Sequence, residues 1–187
     1  GAYLAQTGTL AFSDVDLTDT HTASAAFDAS TSTSAAVADG TQFGTLVATV
    51  STATANGTGG EVTWTYAVDN AAVQLLAASE TVTETYTVTV EDGDGGTATQ
   101  TVSVTITGSN DAPTVTVLDD AETLAETDGP LTATGSFTVA DVDVTDVVTA
   151  EVTGVTATGT GVAIETDGSV NGIGASDLLA MLSLSAG

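Results

Sequence analysis

The 187-residue chain carries 25 carboxylates, one His and no Lys or Arg, a formal charge of −25 at pH 7. With no cation to meet phosphate or anionic lipid, the composition excludes nucleic-acid binding and docking on acidic membranes. A hydrophobic fraction of 42% suffices for a core, while the lack of Cys removes disulfides and thiolate metal sites.

The first readable stretch is "TGTLAFSDVDLTD" at Thr7–Asp19, an apolar run that ends in Asp14, Asp16 and Asp19. His21 follows it without a partner constellation and reads as a surface residue. Asn56-Gly57 is a hairpin-turn signal. In Val62–Val68, Val62, Trp64, Tyr66 and Val68 alternate with polar residues, the period-2 pattern of a half-buried strand. "NAAVQLLAA" at Asn70–Ala78 has the spacing of a short helix of about two turns. Thr81–Val90 alternates again: Val82, Tyr86, Val88 and Val90 face one way, and five threonines face the other. A ladder of this kind is the usual solvent face of an antiparallel strand. That strand runs into "EDGDGG", with Asp92 and Asp94 at a turn. Thr97–Thr107 is the next strand, with Val102, Val104 and Ile106 inward, and it ends at "TGSNDAP".

Pro113–Val117 opens a further strand, followed by a loop holding Asp119, Asp120, Glu122, Glu126 and Asp128, which reads equally as a solvated acidic loop or a further cation site. Leu131–Val139 is the next strand, and its "TGSFTVADVDVTD" repeats the Thr7–Asp19 stretch at an offset of 127 residues, Gly8 against Gly135. Asp141, Asp143 and Asp146 thus stand where Asp14, Asp16 and Asp19 stood. "SDLLAML" at Ser176–Leu182 is a second short helical pattern. Repeats of this size are whole domains in tandem. The fold class expected is all-β: tandem immunoglobulin-like Greek-key sandwiches with two short helical turns. Residues 1–110 form the first repeat, lacking its first strand, and 111–187 the N-terminal part of the second. With no signal peptide or membrane-length apolar run, the chain reads as an internal piece of something longer, and strands from another copy are expected to complete the second repeat.

Successive strands of such a sandwich alternate direction, so the loops gather at two poles. Asp141, Asp143 and Asp146, then Asn110 and Asp111, then Glu80 with Glu84 slightly further in, converge from three segments on the junction between repeats. Asp14, Asp16, Asp19, Asp92 and Asp94 gather at the opposite pole of the first repeat. Two carboxylates about 4 Å apart repel by about 4 kcal/mol at an effective dielectric near 20, so both poles call for a cation from solution. Hard oxygen donors in flexible loops suit Ca²⁺; Mg²⁺ demands stricter octahedral geometry, and Zn²⁺ would want Cys or several His. The motif is not an EF-hand, since Asp19 stands where that loop has Gly, and Ala25 and Val152 where it has Glu. Paired acids repeated at domain boundaries, with no basic residue for substrate, do not read as an enzyme's.

"TGTLAFSDVD", "LAASETVTETYTVTVEDGDGGTATQTVSVTITGSNDAP" and "GIGASDLLAMLSLSAG" together resemble the VCBS-type, cadherin-like repeats of large bacterial RTX adhesins. The likeness implies β-sandwich extender modules, exported by type I secretion to the cell surface. There they bind Ca²⁺ between neighbouring repeats and hold an adhesive tip away from the cell for attachment and biofilm formation. A Ca²⁺-dependent module binding a glycan or surface is the alternative. Matched to the cadherin junction, Glu80, Asn110–Asp111 and Asp141–Asp143 take the calcium-ligand roles, and Asp92 or Asp94 the later acid. The linker departs from that pattern in having Gly108 where cadherins carry a further Asp.

Overall fold

The computed structural model describes residues 1–119, 122–125, 129 and 131–154. Eight strands run in the order β1 (Tyr3–Phe12), β2 (Thr22–Ser32), β3 (Gly44–Thr52), β4 (Gly60–Asp69), β5 (Thr81–Glu91), β6 (Thr97–Thr107), β7 (Thr114–Asp119) and β8 (Ser136–Ala140). All pairings are antiparallel. One sheet has the order β1-β4-β3, a second β2-β5-β6, and β7 pairs with β8 in a third. The first two sheets pack face to face, as expected of an all-β sandwich. Their shared core draws Leu46 from β3, Val62 and Tyr66 from β4, Val82, Tyr86 and Val88 from β5, and Ile106 from β6. Each such side chain fully withdrawn from water contributes about 1.5–3 kcal/mol.

The alternation read in β4, β5 and β6 is the alternation that buries. In β5 the even-numbered residues from Val82 to Val88 are buried, and the threonines lie on the outer face. There Thr83 bonds Thr105 across the strand pair (2.9 Å), and Thr87 donates to Asp28 (2.6 Å). The β3–β4 hairpin closes through Asn56 (φ 53°) and Gly57 (φ 82°), the two left-handed positions that an Asn-Gly turn supplies without strain. Of the two expected helical turns, "NAAVQLLAA" forms only a single 3₁₀ turn, Asn70–Ala72, capped by Asp69 accepting from the Ala71 amide. "SDLLAML" lies outside the described residues. No helix among the described residues is long and apolar enough to cross a membrane.

The chain divides into two compact units, Gly1–Asp146 and Val147–Gly187. The first contains the eight strands found among the described residues, and the expected 110/111 boundary falls inside it, between β6 and β7.

Glu84 departs from expectation. The sequence places it with the junction acids; instead it is fully buried between the sheets. Its parity explains this, since Glu84 shares the inward face of β5 with Val82 and Tyr86. One carboxylate oxygen accepts from the amides of Phe43 and Gly44, and the other from the hydroxyls of Tyr66 (3.0 Å) and Tyr86 (2.7 Å). Burial first, and the Glu84 carboxylate second, push both phenols far above their ordinary value, so they stay protonated as donors. Glu84 thereby ties β5 to the start of β3 and to β4, and its oxygens are not free for a cation.

Removing the acceptor strands several buried donors at once, whereas removing the Tyr86 hydroxyl leaves the carboxylate its other donors and forfeits only that hydroxyl's own bonds to Glu84, the Gly44 carbonyl and Gln42. Glu84→Ala is expected to lower stability by about 3 kcal/mol or more and Tyr86→Phe by about 1 kcal/mol. Denaturant unfolding of the two variants measures the ranking; equal losses would show that the carboxylate is no hub.

Candidate metal centres

The repeated DxDxxD segments fold into the same local loop twice. Asp14 Oδ1 accepts from the Asp16 amide at 2.9 Å, and Asp141 Oδ1 from the Asp143 amide at 3.0 Å. The amides of Asp19 and Asp146 bond back to the carbonyls of Asp16 and Asp143 respectively. An Asx turn of this kind uses one oxygen of the first Asp to shape the backbone and turns the remaining carboxylates to one side.

In the first copy, one carboxylate oxygen from each of Asp14, Asp16 and Asp19 lies within 4.8 Å of the other two, a grouping that could hold a metal ion. Asp92 and Asp94, from the β5–β6 turn, belong to the same pole. Burial raises the Asp19 carboxyl above its ordinary value, with the charges of Asp94, Asp16, Asp14 and Asp92 adding to the effect. Asp92 also has a local task. Its Oδ1 accepts from the amides of Asp94 (2.8 Å) and Gly96 (2.9 Å), which holds the turn together.

His21 is not the surface residue that the sequence suggested. Its ring is 3% exposed, lies 4.8 Å from the ring of Phe12, and places Nε2 at 2.9 Å from Asp14 Oδ2. Nε2 donates there, because an ionised carboxylate has no proton to give. The Asp16 amide first and this imidazole second hold the Asp14 carboxyl below its usual range. The seven-residue separation of His21 from Asp14 carries no recognisable motif, so only the fold reveals the pair.

In the second copy the loop meets the first repeat. Asp143 is 1% exposed; its Oδ2 accepts from the Asp111 amide at 2.7 Å, and its Oδ1 is buried with no hydrogen-bond partner. Glu80 Oε1 accepts from the Thr145 hydroxyl at 2.9 Å, Glu80 Oε2 from the Ala77 amide at 3.0 Å, and the Val144 amide reaches the Leu75 carbonyl. Burial raises the Asp146 carboxyl above its ordinary value, reinforced by the charges of Asp143, Asp141 and Glu80. Four of the expected junction acids therefore share one electrostatic environment. Asp111 joins through its backbone, while the Asn110 amide is taken up by the Asp111 carbonyl at 2.6 Å. Ser34 and Thr145 were not anticipated; the Ser34 hydroxyl is the foremost cause holding the Glu80 carboxyl below its ordinary value.

Gly108 also finds its reason. A Cβ there would sit 2.3 Å from the Leu76 carbonyl oxygen, while the Gly108 amide bonds the Glu80 carbonyl at 2.8 Å. No aspartate fits at that position. Of the acidic loop at 119–128, Asp120, Glu126 and Asp128 lie outside the described residues, and Glu122 is exposed.

A scan against protein-family models and a search of curated proteins both find no match for this chain.

The shifted carboxyls give opposite signs to test. A raised folded-state value means that ionised Asp19 and Asp146 oppose folding at neutral pH, a penalty that vanishes below their ordinary value of 3.8. Glu80 is lowered, so its ionised form favours folding above its ordinary 4.5, and that gain is lost as pH falls through its folded-state value. With divalent ions chelated, Asp19→Asn and Asp146→Asn are expected to raise the melting temperature at pH 7, and Glu80→Gln to lower it. The Asp effects should fade as pH falls below their ordinary 3.8, and the Glu80 effect as its own carboxyl protonates below its ordinary 4.5. Thermal melts across pH check both the signs and the convergence.

Proposed function

We propose that this chain is a calcium-rigidified extender segment of a bacterial surface adhesin, a structural module and not an enzyme. One observation carries the reading: a carboxylate, Asp143, is buried at the junction between repeats with one oxygen unpartnered, in a chain that has no Lys or Arg. An unpaired buried charge costs several kcal/mol, and Asp141, Asp146 and Glu80 beside it increase the cost. A divalent cation from solution turns the same groups into ligands. Carboxylates from two strand ends are hard oxygen donors of the kind Ca²⁺ takes, about six to eight at a time; the chain has no Cys, and its single His bonds Asp14 at the other pole.

Bound there, the ion would draw the 141–146 loop onto Glu80 and fix the second repeat on the first. The matching loop at Asp14, Asp16 and Asp19 suits a second ion at the opposite pole, so that modules joined end to end would stiffen into a rod. The resemblance to VCBS-type repeats supplies the setting: type I export, the cell surface, attachment and biofilm. Folding linked to Ca²⁺ also suits export, because the chain would stay loose where Ca²⁺ is scarce and fold where it is plentiful.

Saturating Ca²⁺ at about a hundred times its Kd adds about 2.7 kcal/mol to stability, so the melting temperature in millimolar Ca²⁺ should stand clearly above that in EDTA, with Mg²⁺ less effective. Asp143→Ala should remove the share of that difference owed to the junction ion. Superimposable melts in Ca²⁺ and EDTA would overturn the proposal.

A further inference from the structure

We propose that Thr145 is a positioning residue for the junction ion: its hydroxyl bond to Glu80 holds the 141–146 loop where the carboxylates of Asp143 and Asp146 approach Glu80. The inference rests on the reading of the junction as a Ca²⁺ site, and it concerns a residue that brings no carboxylate to the ion.

Tight turns present both partners of this bond. On one side, the Glu80 amide donates to the Ala77 carbonyl, and Glu80 Oε2 accepts from the Ala77 amide, each at 3.0 Å. This reciprocal pair, with Ser79 in the left-handed region inside the turn (φ 70°), fixes the side chain and leaves Oε1 for another donor. On the other side, the Asp146 amide closes a turn on the Asp143 carbonyl at 3.0 Å, which puts Val144 and Thr145 at its two central positions. From there the Thr145 hydroxyl reaches Glu80 Oε1 at 2.9 Å, and the Val144 amide reaches the Leu75 carbonyl at 3.4 Å.

The loop needs such an anchor because its own charge opposes docking. Asp146 stands close enough to Asp143, Asp141 and Glu80 to sense the charge of each. Three bonds act against that repulsion: the Asp111 amide to Asp143, the Val144 amide to Leu75, and the Thr145 hydroxyl to Glu80. The first two donors are backbone amides, which almost any residue supplies. Only the third is a side chain. A hydroxyl on an ionised acceptor makes a strong, charge-assisted bond, and it bridges two acidic segments in a chain that has no Lys or Arg to do so. A carboxylate accepts at about four positions. The Ala77 amide and the hydroxyls of Thr145 and Ser34 occupy three on Glu80, so its orientation is set while an opening remains for an ion. Outer partners that orient a metal ligand in this way typically cost about 10–100-fold in metal affinity when removed.

Calorimetric titration of the full chain with Ca²⁺ tests the proposal, in a background where Asp16→Asn and Asp19→Asn disable the loop at the opposite pole. Thr145→Val, which keeps the shape of the side chain and deletes the hydroxyl, should weaken binding about tenfold or more. Thr145→Ser, which restores the hydroxyl, should bind as the background chain does. Trp64 fluorescence in EDTA reports whether each variant is folded; if the Val variant is not, Thr145→Ala takes its place. Unchanged affinity without the hydroxyl, or an equal loss in the Ser variant, would overturn this inference and leave the junction ion standing. A background chain that binds no Ca²⁺ would overturn the junction ion and the inference with it.

Discussion

A strongly acidic chain without Lys or Arg must compensate nearly every buried carboxylate with neutral donors or with something from solution. That constraint separates the acids of this protein into two kinds. Glu84 is compensated from within: two amides and two phenols converge on its oxygens, and the phenols are held protonated by the burial and charge that make them useful. Asp143 is compensated only in part. One oxygen has the Asp111 amide, and the other has nothing. A network that is fully satisfied rigidifies a core, whereas a partly satisfied one leaves a buried polar atom to be accounted for.

The strands that alternate cleanly were legible in the sequence because their parity matches the two-faced environment of a sheet. β4, β5 and β6 are of this kind. β2 was not legible, for a physical reason. Its inward residues are mostly Ala and Ser, which give a weak apolar signal, and a bulge at Asp28 shifts the inward set from Ala23, Ala25 and Phe27 to Ser30 and Ser32. No period-2 reading survives such a shift. The helix expected at Asn70–Ala78 failed because its Val and Leu residues serve tertiary packing: Val73 and Leu76 are buried in the core between β4 and β5, and packing outweighs a weak helical pattern.

The candidate sites divide along the same line. The junction acids were legible because strand direction alone decides which pole a loop occupies, and the repeat shows the loop twice. Glu84 was misread because carboxylates are taken for surface groups, even though its even-numbered position already placed it with Val82 and Tyr86. The partnership of His21 with Asp14 depends on how the 14–21 loop turns back over Phe12, which no spacing encodes.

The two copies of the acidic loop share a backbone but not a neighbourhood. In the first copy, His21 supplies a donor to Asp14 from within the same segment. Its counterpart at the repeat offset is Val148, so the second copy has no imidazole to offer Asp141. What that loop gains instead comes across the junction: a donor, the Asp111 amide, for Asp143, and an acceptor, Glu80, for its own Thr145. The second loop is therefore organised by the repeat before it, and the first by its own chain. Both loops keep the internal Asx turn, but the first adds a donor from its own segment, whereas the second adds bonds made across the junction. The difference of one residue at equivalent positions, His against Val, thus assigns the two loops different dependence on their neighbours within a common fold.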